Sequence, residues 1–93
     1  MVVRWLKRAL NNLAAITAYI ERDNPGAART LAQSIREKTN RLAAFPFLGK
    51  ASAKPNIREF VVHRNYLVSY RIRPDVIEVI QVWHAAQKRE DGP

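Results

Sequence analysis

Residues 57–84 read Ile-Arg-Glu-Phe-Val-Val-His-Arg-Asn-Tyr-Leu-Val-Ser-Tyr-Arg-Ile-Arg-Pro-Asp-Val-Ile-Glu-Val-Ile-Gln-Val-Trp-His, and this stretch decides the fold. Three runs rich in β-branched and aromatic residues, about Ile57–His63, Tyr66–Arg73 and Val76–His84, are parted by Arg64-Asn65 and Pro74-Asp75. Two-residue breaks of this kind join antiparallel strands as hairpins. In the middle run Tyr66, Val68, Tyr70 and Ile72 alternate with Leu67, Ser69, Arg71 and Arg73. One face is apolar and the other largely polar and basic, so the sheet packs helices on one side and leaves an open face carrying Arg71, Arg73 and Arg58. The last run is apolar in both registers, which predicts an interior strand covered on both sides.

Upstream, the period changes. Leu6, Leu10, Leu13, Ile16 and Ile20 recur every three or four residues and predict an amphipathic helix. Asp23-Asn24-Pro25-Gly26 interrupts it. Asn24 suits an N-cap and Pro25 the first helical position, so a second helix is predicted from about Pro25 to Ala44, burying Ala27, Leu31, Ile35, Leu42 and Phe45. The short connection makes the pair an antiparallel hairpin with Leu6, Leu13, Ile20, Leu31 and Ile35 at its seam. Pro46 ends it, a loop over 49–56 follows with Lys50 and Lys54, and Val2-Val3-Arg4-Trp5 reads as an opening strand. Residues 85–93 lose all pattern and are expected to fray. The reading is therefore α+β in the order β-α-α-β-β-β, a helical hairpin on one face of a small, mainly antiparallel, twisted sheet, with residues 1–93 a single domain.

Composition bounds the function. The chain has 93 residues, of which 47% are hydrophobic, enough for one small core. Sixteen Lys and Arg against eight Asp and Glu leave a net charge of +8, spread along the chain without a basic tail. That charge is either a solubilising surface or a face for an anionic partner. Cysteine is absent, which excludes disulfides and thiol chemistry, and two histidines without clustered carboxylates speak against a metal site. No cofactor is expected, no apolar run reaches a membrane span, and no leader pattern opens the chain, so a cytoplasmic location is expected.

The sequence resembles the RelE/ParE superfamily of toxins from bacterial toxin–antitoxin pairs, over about residues 3–89. The resemblance rests on Trp5 with Ala9-Leu10, on Ile16, Tyr19 and Ile20, and on Asn24-Pro25 with Ala28. It continues through Leu42-Ala43-Ala44-Phe45-Pro46, Leu48-Gly49, Arg58-Glu59, Tyr66 to Ile72, and Val82-Trp83-His84. It implies a toxin with a small acidic antitoxin as partner, whose disordered tail folds on binding. RelE-like members are ribosome-dependent mRNA endonucleases, whereas ParE-like members poison DNA gyrase. RelE-like enzymes place an Arg directly after the Tyr of the third strand, where this chain has Leu67. Others use a Glu/Arg/His set, yet no Glu lies between Glu37 and Glu59.

The two full helices, the Asn-Pro start and the terminal Val-Trp-His before Ala85-Ala86 resemble the ParE-like branch, which would act on gyrase by binding and need no chemistry of its own. Under the ribonuclease alternative the candidates are Arg58, Arg71, His84, Lys50 and Lys54. A degenerate member that only binds antitoxin is the third reading. The residues expected to meet the antitoxin are Tyr19, Arg22, Arg58, Arg71 and Arg73. For Arg71 and Arg73, a strand repeat apart, both phosphate or carboxylate recognition and plain solvation are open. Trp5 and Trp83 read as packing residues, and His63 as exposed beside its turn.

Overall fold

In the computed structural model, residues 1–87 are described. A five-stranded sheet of β1 (Val2–Trp5), β2 (Lys50–Ala51), β3 (Arg58–His63), β4 (Tyr66–Arg73) and β5 (Val76–His84) has the order β1-β5-β4-β3-β2. β1 runs parallel to β5, and the remaining pairs are antiparallel. Helices α1 (Lys7–Glu21) and α2 (Pro25–Asn40) form the hairpin on one face. The expected three-strand meander, opening strand and helix pair are all present, with β5 interior between β1 and β4.

The core lies between hairpin and sheet. Ala9, Leu13, Leu31, Ile35 and Leu42 meet Val62, Val68, Tyr70, Ile77, Val79 and Val82. Along α1 the buried phase is Ala9 and Leu13, with Ile16 and Ile20 partly covered, while Leu10 is 50% exposed. Alanine at position 9 lets the helix approach the sheet closely. Leu10, one position further round, lines the outer groove between the helices with Ala28 and Ala32 instead. In α2, Ala28 and Ala32 are the buried alanines, while Ala27 is exposed.

Asn24 caps α2 as expected, its Oδ1 accepting the Ala27 N–H at 3.0 Å with Pro25 at the first position. The helix ends at Asn40 and tightens into a 3₁₀ turn over Arg41–Ala43 rather than continuing to Ala44. The tighter turn keeps Leu42 in the core and rotates Phe45 out to solvent.

Two differences concern the sheet. Lys50–Ala51, within the predicted loop, pairs with Glu59 and Arg58 as the short edge strand β2. Residues Ala85–Gln87, within the predicted frayed tail, form a 3₁₀ turn, fastened by the Ala86 N–H to His84 Nδ1 at 3.0 Å. The rest of that expectation, residues 88–93, lies outside the described residues.

Candidate functional site

The face of the sheet away from the helices divides into a covered end and a charged end. Leu67 stands opposite Trp83, and Ser69 opposite Gln81. All four are buried, and the Trp83 indole Nε1–H donates to Ser69 Oγ at 2.9 Å. Trp83, 5% exposed, is thus a packed residue that seals this end, with Leu67 beneath it.

At the other end Arg4 of β1, Glu78 of β5 and Arg71 of β4 stand in one row across three strands. Arg71 Nε and Nη2 both donate to Glu78 Oε1, at 3.0 and 2.7 Å. Arg73 Nε lies 3.6 Å from the same oxygen. The Arg71 hydrogen bond, with the charges of Arg71, Arg73 and Arg4, holds the Glu78 carboxyl below its ordinary value, against an opposing push from desolvation. The carboxylate therefore stays ionised and fixes the guanidinium groups.

Arg58 does not join Arg71 on this face. It stands opposite Tyr70, on the helix side of the sheet. Its Nε and Nη2 donate to Gly49 O at 3.1 and 2.6 Å, and its guanidinium lies 5.2 Å from the Phe47 ring centre. The buried Tyr70 hydroxyl donates to Pro46 O at 2.6 Å and accepts the Gly49 N–H at 3.0 Å. Arg58 and Tyr70 thus clamp residues 46–49 onto the sheet, which corrects the expectation of Arg58 as an open-face recognition residue. The loop that follows is closed by Ser52 N–H to Ile57 O at 3.0 Å and by the Lys54 N–H to Ser52 Oγ at 3.1 Å. It carries Lys54, exposed, to the rim of a cleft shared with Arg58, Arg71 and Arg73, while Lys50 is exposed on β2.

His84 lies elsewhere. It stands opposite Tyr66, which packs against the core, so it belongs to the helix face. Its ring meets Tyr66 edge-on at 5.1 Å. Because Nδ1 accepts the Ala86 N–H, the neutral ring carries its proton on Nε2. Six strand positions separate Glu78 from His84, roughly 20 Å at about 3.3 Å per residue. The five ribonuclease candidates are therefore not assembled: Lys54, Arg58 and Arg71 border one cleft, and His84 sits at the opposite end on the opposite face.

A second site was not found from the sequence. β1 pairs with β5 only over Val76 to Val79, and beyond this the outer edge of β5 faces α1. Side-chain amides occupy its peptide donors: Val82 N–H donates to Asn12 Oδ1 at 3.1 Å and His84 N–H to Gln87 Oε1 at 2.9 Å. Arg8, Ile16, Tyr19 and Tyr66 complete a groove of about 720 Å³. Tyr19, 72% exposed, stands at its rim, whereas Arg22 is exposed beyond the last turn of α1 and does not line it. The signal in the sequence was only the short reach of the first strand against the nine residues of β5.

Among the described residues, no group of three His, Asp or Glu could hold a metal ion, and no helix is long and apolar enough to cross a membrane.

With this geometry in view, residues 3–89 match the family described as the ParE toxin of the type II toxin–antitoxin system parDE. A putative toxin of Sinorhizobium fredii, Y4kP, is 39% identical over 92% of this chain and 90% of its own length. Toxin RelE2 of Caulobacter vibrioides is 33% identical over 91% of this chain and 96% of its own. Among solved structures, the chromosomal ParDE system of P. aeruginosa superposes with a TM-score of 0.82 at 23% identity, over 90% of this chain and 95% of that one. The isolated E. coli RelE toxin gives 0.62 at 18%, over 90% and 83%. The fold is thus common to both kinds of toxin, and the match over nearly the whole length places this chain in the ParE toxin family of type II toxin–antitoxin systems.

Proposed function

We propose that this toxin arrests growth in the bacterial cytoplasm by poisoning DNA gyrase rather than by cutting mRNA. The observation that supports this reading is the separation of Arg71 from His84. Cleavage by 2′-OH attack needs a base, a cation for the phosphorane and an acid around one phosphate. Here the histidine is turned to the helix face with Nδ1 occupied, and Arg71 is held by Glu78. Leu67, where RelE-like enzymes resemble one another in having an Arg, is packed with Trp83 and supplies neither charge nor hydrogen bond.

The neutralising partner is an acidic antitoxin. The groove between α1 and the outer edge of β5 suits an extended segment, which would displace the Asn12 and Gln87 amides from the edge and rest against Tyr19 and Ile16. Arg22 lies beyond the end of α1, within reach of the same polypeptide. Arg71 and Arg73 lie on the open face, so a single antitoxin chain reaches them only by wrapping around the sheet. Arg58 keeps to its structural task.

The test is incubation of the folded toxin with gyrase, ATP and supercoiled plasmid, followed by protease treatment. Linear DNA that disappears when antitoxin is added is the expected result. Intact supercoiled plasmid, from a toxin that still inhibits growth, overturns the gyrase reading and directs attention to ribosome-bound mRNA. Hydrogen exchange with and without antitoxin checks the groove, where slowed exchange at Val82 and His84 is expected.

A further inference from the structure

We propose that the charged end of the open sheet face is a binding track for the phosphodiester backbone of duplex DNA, formed by Arg4, Arg71, Arg73 and Lys54. Arg4, Glu78 and Arg71 are register partners on adjacent strands. At about 4.8 Å per strand, the row from Arg4 to Arg71 covers about 10 Å. A DNA strand carries one phosphate per 3.4 Å or so of axis, so the row spans about three of them. Arg73 and Lys54 extend the track into the adjoining cleft.

Glu78 is the single carboxylate in this row, and its acceptor Oε1 is shared by Arg71 and Arg73. One anion thus orients two guanidinium groups and neutralises one charge of four. The Arg73 side chain remains 57% exposed and the Arg71 side chain 36%, with donors left for a ligand. Among the described residues, Glu59 is on the same face but buried at the covered end opposite Ser69. Asp75 follows Arg73 in the hairpin turn.

Nucleic acid is favoured over an acidic polypeptide by charge complementarity: Arg4, Arg71 and Arg73 share one broad sheet face, and their close spacing matches the dense, regular charge of a duplex backbone. A row of cations on a broad sheet face meets a backbone but does not enter a groove to read base edges. Binding is therefore expected to be insensitive to sequence and steeply dependent on salt.

With one of the four cations offset by Glu78, neutralising about three phosphates predicts a slope of about −2.7 for log K against log salt. Each lost contact then weakens binding about eightfold at 0.1 M salt and removes about 0.9 from the slope. The experiment is fluorescence anisotropy of a labelled duplex of about 20 base pairs with the full chain, repeated for Arg4→Ala, Arg73→Ala, Arg73→Lys and Arg29→Ala, each checked for folding by circular dichroism. Arg29 lies on the exposed side of the hairpin and carries the same formal charge.

Loss of affinity and of one unit of slope in Arg4→Ala and Arg73→Ala, with Arg73→Lys and Arg29→Ala near wild type, supports the track. Equal losses from Arg29→Ala would show diffuse charge attraction and overturn it, as would absence of binding at low salt. Displacement of DNA by polyglutamate that binds tighter and depends on the same two arginines would assign the face to an acidic polypeptide instead. The assay contains no gyrase, so its failure and the failure of the gyrase reading are separate results.

Discussion

Two glycines in this chain respond to the same substitution in opposite directions. At Gly49 an added Cβ would lie 2.6 Å from the backbone oxygen of Glu59, 2.7 Å from Tyr70 Cε1 and 2.8 Å from the Tyr70 hydroxyl oxygen. None of these can move aside freely, because Glu59 is in a paired strand and Tyr70 is fully buried. Overpacking of this kind costs about 1–3 kcal/mol. Pushing the loop away also weakens its hydrogen bonds to the Tyr70 hydroxyl and to Arg58, each worth about 1 kcal/mol.

The expected loss for Gly49→Ala is therefore about 2–4 kcal/mol, from a total of roughly 5–14 kcal/mol for a domain of this size. That corresponds to a fall of roughly 10–25 °C in melting temperature. At Gly26 the nearest atom to an added Cβ is Asn24 Oδ1 at 3.6 Å, an ordinary contact in the first turn of α2. Gly26→Ala is expected to stabilise by about 0.4–1 kcal/mol, through the lower entropy of the unfolded chain. Urea titrations of both variants beside wild type measure the contrast. A Gly49→Ala variant within about 0.5 kcal/mol of wild type would refute the steric argument and the anchoring task given to Tyr70.

Three further outcomes follow from named contacts. The Glu78 carboxyl is lowered in the fold, so its contribution is present above the ordinary carboxylate value and is lost as pH falls through the depressed one. Glu78→Gln is thus expected to be less stable at neutral pH and to show a flatter decline on acidification, measured by urea midpoints from about pH 7 to about pH 3. Asn24→Ala removes the side-chain cap of α2 and should cost about 1 kcal/mol by the same titration, with the unfolding slope unchanged. Leu67→Arg places a guanidinium beneath Trp83 and is expected to destabilise by about 3 kcal/mol or more without producing RNA cleavage, checked by thermal melting and an mRNA cleavage assay.

How far the sequence could be read depended on whether each feature left a local signature. Alternation and two-residue breaks placed β3, β4 and β5 within one residue of their observed limits. β2 left none, because Lys50 and Ala51 are both exposed and show no apolar period. The Arg71–Glu78 pair was within reach: counting outward from Pro74-Asp75 sets Arg73 against Val76, Ile72 against Ile77 and Arg71 against Glu78. The same count from Arg64-Asn65 fails after His63 and Tyr66, because the irregularity between Val61 and His63 sets Val61, not Val62, against Leu67. The partner of Arg58 was out of reach, since a backbone carbonyl such as Gly49 O has no residue signature.

The distance from binding to chemistry in this fold is set by Trp83 as much as by any missing charge. A cation at position 67 would need open surface around it to meet a phosphate, and in this chain that surface is filled by an indole tied to Ser69. A charge placed at position 67 is therefore buried unless the covering residue is removed as well. The charged end is under no such constraint. Arg71 and Arg73 are already held by one carboxylate, with Arg4 beside it in the same row, and among the described residues this end of the face carries no histidine. A face so divided fits the proposed gyrase reading, in which this chain would bind and the breaking of bonds would be left to another molecule.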